Sequence, residues 1–176
     1  MTASPLEIVL KLDGIEGEST AEGHAGETVV LSYQQAIDLQ TGPVGGGGGG
    51  SGKASFAGVR FRKPVDKGSV LLLLACASGL HVKDARFTFR RASSLDFYTV
   101  TLDDVLVAHI AQQAGTGEQY PLSFEALTAG ADSAGLLEEV TLEFARILWE
   151  YQPIDPDGTP GPPVRGGWDL KLNKKI

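Results

Sequence analysis

Apolar and polar residues alternate along most of this chain. That period of two constrains the fold more than any other feature, because only a strand sends successive side chains to opposite faces. In Leu6-Glu-Ile-Val-Leu-Lys-Leu12, residues Leu6, Ile8, Leu10 and Leu12 share one face, and Glu7 and Lys11 share the other. A polar loop from Gly14 to Gly26 follows. Further strands are expected from Thr28 to Leu39, from Ser55 to Lys63 before Pro64, from Asp84 to Arg91, from Phe97 to Leu102 and from Val105 to Gln112. The longest is expected from Val140 to Tyr151, where the parity change between Phe144 and Ile147 reads as a bulge. A short strand from Gly167 to Leu172 ends the series.

One segment breaks the period. Asp66 to Gly79 is rich in Leu and Ala, which favours a helix, with Asp66 or Ser69 as N-terminal cap and Gly79 as C-terminal cap. It is apolar nearly all round, so it is expected to be largely buried. Residues 113–137 show little periodicity and read as a long exposed loop. About eight strands and one helix in 176 residues predict a single, mainly β domain spanning 1–176. It would be an antiparallel β-barrel or curved sandwich with one flanking α-helix.

Several function classes fall away. The single cysteine, Cys76, excludes an intrachain disulfide framework and lies in the apolar run, where a reactive thiolate is not expected. That run, Val70 to Ala77, is far shorter than the ~20 residues that span a bilayer, so no membrane insertion is expected. The opening Met1-Thr-Ala-Ser-Pro-Leu-Glu7 has no basic start and no apolar stretch, so export by a cleaved leader is not expected. His24, His81 and His109 have no metal-ligand spacing, and the adjacent acids Asp103-Asp104 and Glu138-Glu139 point to opposite sides of a strand. Gly47 to Ala54 imitates a phosphate loop, but Ala54 stands where a hydroxyl must hold magnesium, and no helix follows. No catalytic, cofactor or metal residue is expected.

Charge is unevenly distributed. Residues 1–52 carry a net −6, 53–91 a net +7, 92–164 a net −11 and 165–176 a net +3, within a formal total of −7. An acidic total argues against a nucleic-acid partner. Opposite patches on one molecule can instead steer copies together head to tail. The segment from Thr41 to Ala54, with six consecutive glycines Gly45–Gly50, is either a linker or a loop whose bare backbone approaches another backbone closely.

These pieces resemble a known family. Gly17-Glu18-Ser19 followed by His24, the Gly-rich run ahead of Lys53, Phe61 to Asp66, Ala75 to His81, Val140 to Ala145, Tyr151-Gln152-Pro153 and Gly167-Trp168-Asp169 resemble, in order, landmarks of the haemolysin-coregulated protein (Hcp) family. The resemblance implies a tube protein of the bacterial type VI secretion system. It implies a homohexameric ring, and rings that stack into a hollow tube inside a contractile sheath. The tube would carry a spike protein and effector proteins, assembling in the cytoplasm and then being secreted. Many members carry an aromatic-Ser-aromatic-Gly run where this chain has Tyr33-Gln34-Gln35-Ala36. The resemblance implies that this region lies near the lumen, with Gln34 a candidate lumen or cargo position, and the departure means that cargo preference does not carry over.

Two sets of contacts are expected on that reading. Gly42, Gly45, Gly46, Gly47, Gly48, Gly49, Gly50, Ser51, Gly52 and Lys53 would form the loop that touches a neighbouring subunit or ring. Lys53, Arg60, Arg62 and Lys63 would face Asp13, Glu16, Glu18, Glu22 and Glu27 of the next copy. The competing reading is a monomeric secreted β-sandwich binding module, an adhesin or carbohydrate binder; a small hydrolase is the third.

Overall fold

Alternation places Ile8, Leu10 and Leu12 of β1 (Leu6–Leu12) against a buried cluster, and β1 pairs antiparallel with β2 (Thr28–Val30) and β7 (His81–Arg91). The computed structural model describes residues 6–39, 53–91, 95–116, 134–155 and 158–176. The remaining strands are β3 (Ser32–Gln34), β4 (Ile37–Leu39), β5 (Ala54–Phe56), β6 (Val59–Pro64), β8 (Leu95–Thr116), β9 (Ala134–Glu143), β10 (Arg146–Tyr151), β11 (Val164–Asp169) and β12 (Lys174–Lys175). The one described helix is α1 (Ser69–Ser78).

The expected 28–39 strand is three pieces. Thr28 to Val30 pair with β1, whereas Ser32 to Gln34 pair with β6. At the changeover the Leu31 N–H donates to the Arg62 carbonyl at 2.7 Å. The chain is thus bonded to β1 on one side and to β6 on the other, and this closes a barrel in the order β1, β2–β3, β6, β9, β8, β7. Closure leaves these strands no open edge. The β4–β5 pair forms its own small sheet. Phe56 of β5 stacks on Trp168 of β11, centroids 6.3 Å apart, so this sheet covers the β10–β11–β12 extension of the barrel.

Two further expectations are corrected. The strands expected at 97–102 and 105–112 are one 22-residue strand, β8, bent at Asp104, whose φ of 54° an aspartate tolerates. Opposite it the chain breaks at Phe144-Ala145, where the Ala145 N–H bonds the Asp103 carbonyl at 3.0 Å. The parity change there marks a corner, not a bulge: β9 turns to β6 while β10 turns to β11. Residues 113–116 and 134–137 are not loop either; they pair as the ends of β8 and β9.

The helix ends as expected: Gly79 adopts φ 66° and its N–H bonds the Ala75 carbonyl. Its N-cap is Gly68, whose N–H is taken by the Asp66 carboxylate at 2.9 Å. The expectation that the helix is largely buried is wrong. Only Ser69, Leu72 and Ala75 are buried, because α1 meets the barrel's core along one narrow face, where Leu72 and Ala75 join the buried cluster.

The core is aliphatic with an aromatic centre. Tyr33 meets Phe87 and Phe89 edge-on at 5.0 Å, and Phe61 meets Phe87 at 5.4 Å. At Gly17 a Cβ would stand 2.5 Å from the Glu27 carbonyl oxygen and the Thr28 Cα. Only a glycine lets the 17–27 loop fold back this closely, with Gly17 N–H on the Gly26 carbonyl and Ser19 N–H on the Glu27 carbonyl, each at 2.8 Å.

Candidate assembly interface

The expected charge contacts depend on which bases reach the surface, and the parity of β6 decides that. Val59, Phe61 and Lys63 share the inward face; Arg60 and Arg62 share the outward one. Lys63 is therefore corrected from an interface residue to a core residue, with 0% exposure. Four oxygens surround its three N–H donors: Glu138 Oε2 at 2.9 Å, Asp66 Oδ1 at 2.9 Å, Ser69 Oγ at 3.0 Å and the Pro64 carbonyl at 2.8 Å. Glu138, 1% exposed, also accepts from Ser69 Oγ at 2.8 Å and Gln112 Nε2 at 2.7 Å. Burial pushes the Glu138 carboxyl up, but the hydrogen bonds from Gln112, Lys63 and Ser69 outweigh it, and the net shift is downward. The signal was present in the sequence, since Lys63 has the parity of Phe61.

The other expected contacts are partly used within the chain. Arg62 clamps Glu139 through Nε at 3.0 Å and Nη2 at 2.9 Å, and Arg60 lies exposed with Nε 4.0 Å from the same carboxylate. Glu16 takes the Lys67 ammonium at 2.9 Å, which lowers its pKa, and Glu18 accepts the Lys67 N–H at 3.3 Å. Glu27 accepts from His24 Nδ1 at 2.9 Å, while His24 Nε2 stands 3.0 Å from Asp96. Lys53, Arg60, Asp13 and Glu22 remain exposed side chains of that set. Gln34 lies exposed on the outer face of β3, opposite Arg60. Gly42, Gly45 to Gly50, Ser51 and Gly52 lie outside the described residues.

Reading by residue missed Arg90. It is 3% exposed beneath the 17–27 loop, and its Nη1 donates to the Glu22 carbonyl at 3.0 Å. Among the described residues its Nε has no hydrogen-bond partner, with Asp96 at 3.6 Å and Glu7 at 3.8 Å. Among the described residues no group of three or more His, Cys, Asp or Glu could hold a metal ion. His81 is spent on Asp104 at 2.7 Å, and Lys171 takes the same carboxylate at 2.6 Å; both hold its pKa down. No described helix is long and apolar enough to cross a membrane.

The surfaces thus carry charge and apolar relief around a closed barrel. The family model "Type VI secretion system effector, Hcp" matches residues 9–151. The chain belongs to the Hcp family. Protein hcp1 of Pseudomonas aeruginosa is 32% identical over 172 residues, covering 96% of this chain and 97% of its own. A solved type six secretion system protein superposes with a TM-score of 0.85 at 25% identity, over 98% of this chain and 100% of that one. Hcp1 from Salmonella typhimurium superposes with a TM-score of 0.73 at 29% identity, over 97% of this chain and 99% of that one. The Hcp landmarks do structural work here: Gly17 permits a backbone approach, His24 ties its loop to β8, and Lys63 and Asp66 join the barrel to α1 through Ser69.

Proposed function

We propose that this Hcp-family chain is a tube subunit whose work is done by contacts between copies, not by chemistry of its own. Six copies form a ring through one heterologous interface that closes by rotation, and rings stack through a second that stays open. The tube runs inside the contractile sheath, carries the spike protein and effectors, and leaves the cell with them. The match to the family along nearly the whole chain carries this reading. The exposed Lys53 and Arg60 and the exposed Asp13 and Glu22 support it as orienting charges. Exposed pairs contribute only about 0–1 kcal/mol each, so they set direction more than strength. Light scattering on the purified chain should return about six times the 18.5 kDa of one copy. A particle of 18.5 kDa would return the chain to the binding-module reading.

The glycine loop is the second contact in this proposal. Gly46, Gly48 and Gly50 changed together to valine should stop rings from stacking, because Cβ atoms hold two backbones apart. Thermal unfolding of the subunit should stay unchanged. Tubes of normal length by electron microscopy would reduce the loop to a linker.

A further inference from the structure

We propose that the outer face of α1 on one copy seats in the groove between β1–β2 and the 17–27 loop of the next copy. This deepens the self-assembly reading and rests on it.

The helix supplies the first half. From Gly68 to Leu80 the chain has no charged residue. A helix that is apolar all round belongs in an interior, yet α1 shows solvent Val70 at 63%, Leu71 at 46% and Leu74 at 59%, and Leu80 just beyond its cap at 62%. Val70, Leu71 and Leu74 sit three and four apart, so they form one ridge. An exposed aliphatic ridge of this kind marks a contact surface.

The groove supplies the second half. Val29 and Leu31 of the β2–β3 stretch and Leu6 of β1 are all exposed along it, and it encloses about 540 Å³. Its rim is acidic, with exposed Glu7 and Glu22, and buried Arg90 forms its base. Beside the helix stand exposed Lys83 and exposed Lys67, the latter already holding Glu16 of its own chain at 2.9 Å. The ridge thus comes from the net-basic stretch of the chain and the groove, apart from Arg90 at its base, from the net-acidic one. Apolar shape and flanking charge agree on the same partner, a second copy. A membrane surface would call for basic residues along the polar side of such a helix, and α1 has none. Because ridge and groove are different surfaces, the contact is heterologous, and every copy offers one of each.

The test uses single cysteines in a Cys76→Ala background. Val29→Cys and Leu74→Cys chains, carrying different tags, are co-expressed and treated with a short bis-maleimide. The expected result is a covalent dimer holding both tags, absent when either chain is expressed alone. Assemblies of about six chains by light scattering that give no mixed dimer would overturn this contact and leave the ring standing. A Leu74→Cys chain that links to itself would replace it with a helix-to-helix contact. Single chains in solution would defeat the contact and the ring together. Leu74→Glu provides a second readout: it should weaken association at least tenfold while the circular-dichroism melt of the subunit stays in place. Association unchanged by that charge would also sink the proposal.

Discussion

Lys63→Ala should lower the unfolding free energy of the subunit by about 3–5 kcal/mol, because removing one partner of a buried ion pair strands the other. Glu138 would keep Ser69 and Gln112 as donors but lose the Lys63 ammonium against its carboxylate, and Asp66 would lose its pair as well. The double change Lys63→Met with Glu138→Leu should recover part of that loss, since apolar side chains of similar volume replace such a pair at little cost while Asp66 keeps the Gly68 N–H. Urea unfolding of the two variants beside the parent at neutral pH measures both. A loss under about 1 kcal/mol for Lys63→Ala would show the network to be replaceable by water. The pH dependence has a definite sign. The folded pKa of Glu138 lies below its ordinary value, so its contribution is fully present above the unfolded pKa. It is lost as pH falls through the depressed folded pKa. Without Lys63 the acid limb of the stability curve should move to higher pH.

Phe87→Ala should cost about 3–5 kcal/mol, the range for emptying a large aromatic site in a packed core. Phe87 is fully buried and stands where three sides of the barrel meet. It is edge-on to Tyr33 of β3 at an interplanar angle of 66° and to Phe61 of β6 at 73°. Such aromatic pairs add about 0.5–1.5 kcal/mol beyond the area they bury. The chain from β2 to β3 closes the barrel beside this cluster, so the cavity loosens the closure as well as the packing. Differential scanning calorimetry should show a lower midpoint and an early loss of protection at the Leu31 amide in hydrogen exchange. A loss of less than about 1 kcal/mol would mean that the neighbouring rings collapse into the space.

The sequence showed the strands, the helix and its cap because these are local matters. Alternation along Leu6–Leu12 and His81–Arg91 follows from the pleat, and Gly79 ends α1 through a conformation glycine adopts at no steric cost. Strand ends were less legible. The changeover at Leu31 leaves no mark on the hydrophobic pattern, because only the identity of the hydrogen-bonded neighbour changes there. The corner at Phe144-Ala145 did mark the pattern, but a bulge would leave the same parity change. The residues of the candidate interface were the least legible of all. A charge count gave Arg60, Arg62 and Lys63 equal weight, although their strand parity already separated them.

Local periodicity, capping and the ordered landmarks from Gly17 to Asp169 were enough to determine a mainly antiparallel β architecture, barrel or curved sandwich, with one helix and a resemblance to the Hcp family, because each landmark and each period is a local run of residues. Closure was decided at Leu31. Tertiary structure alone decided which charges cancel inside one subunit and which face outward. Lys63 meets Glu138 across 75 positions, and α1 turns Leu71 and Leu74 to solvent because only its narrow Ser69, Leu72 and Ala75 face meets the core. Burial and pairing are properties of what folds against a residue, and the partner lies far along the chain.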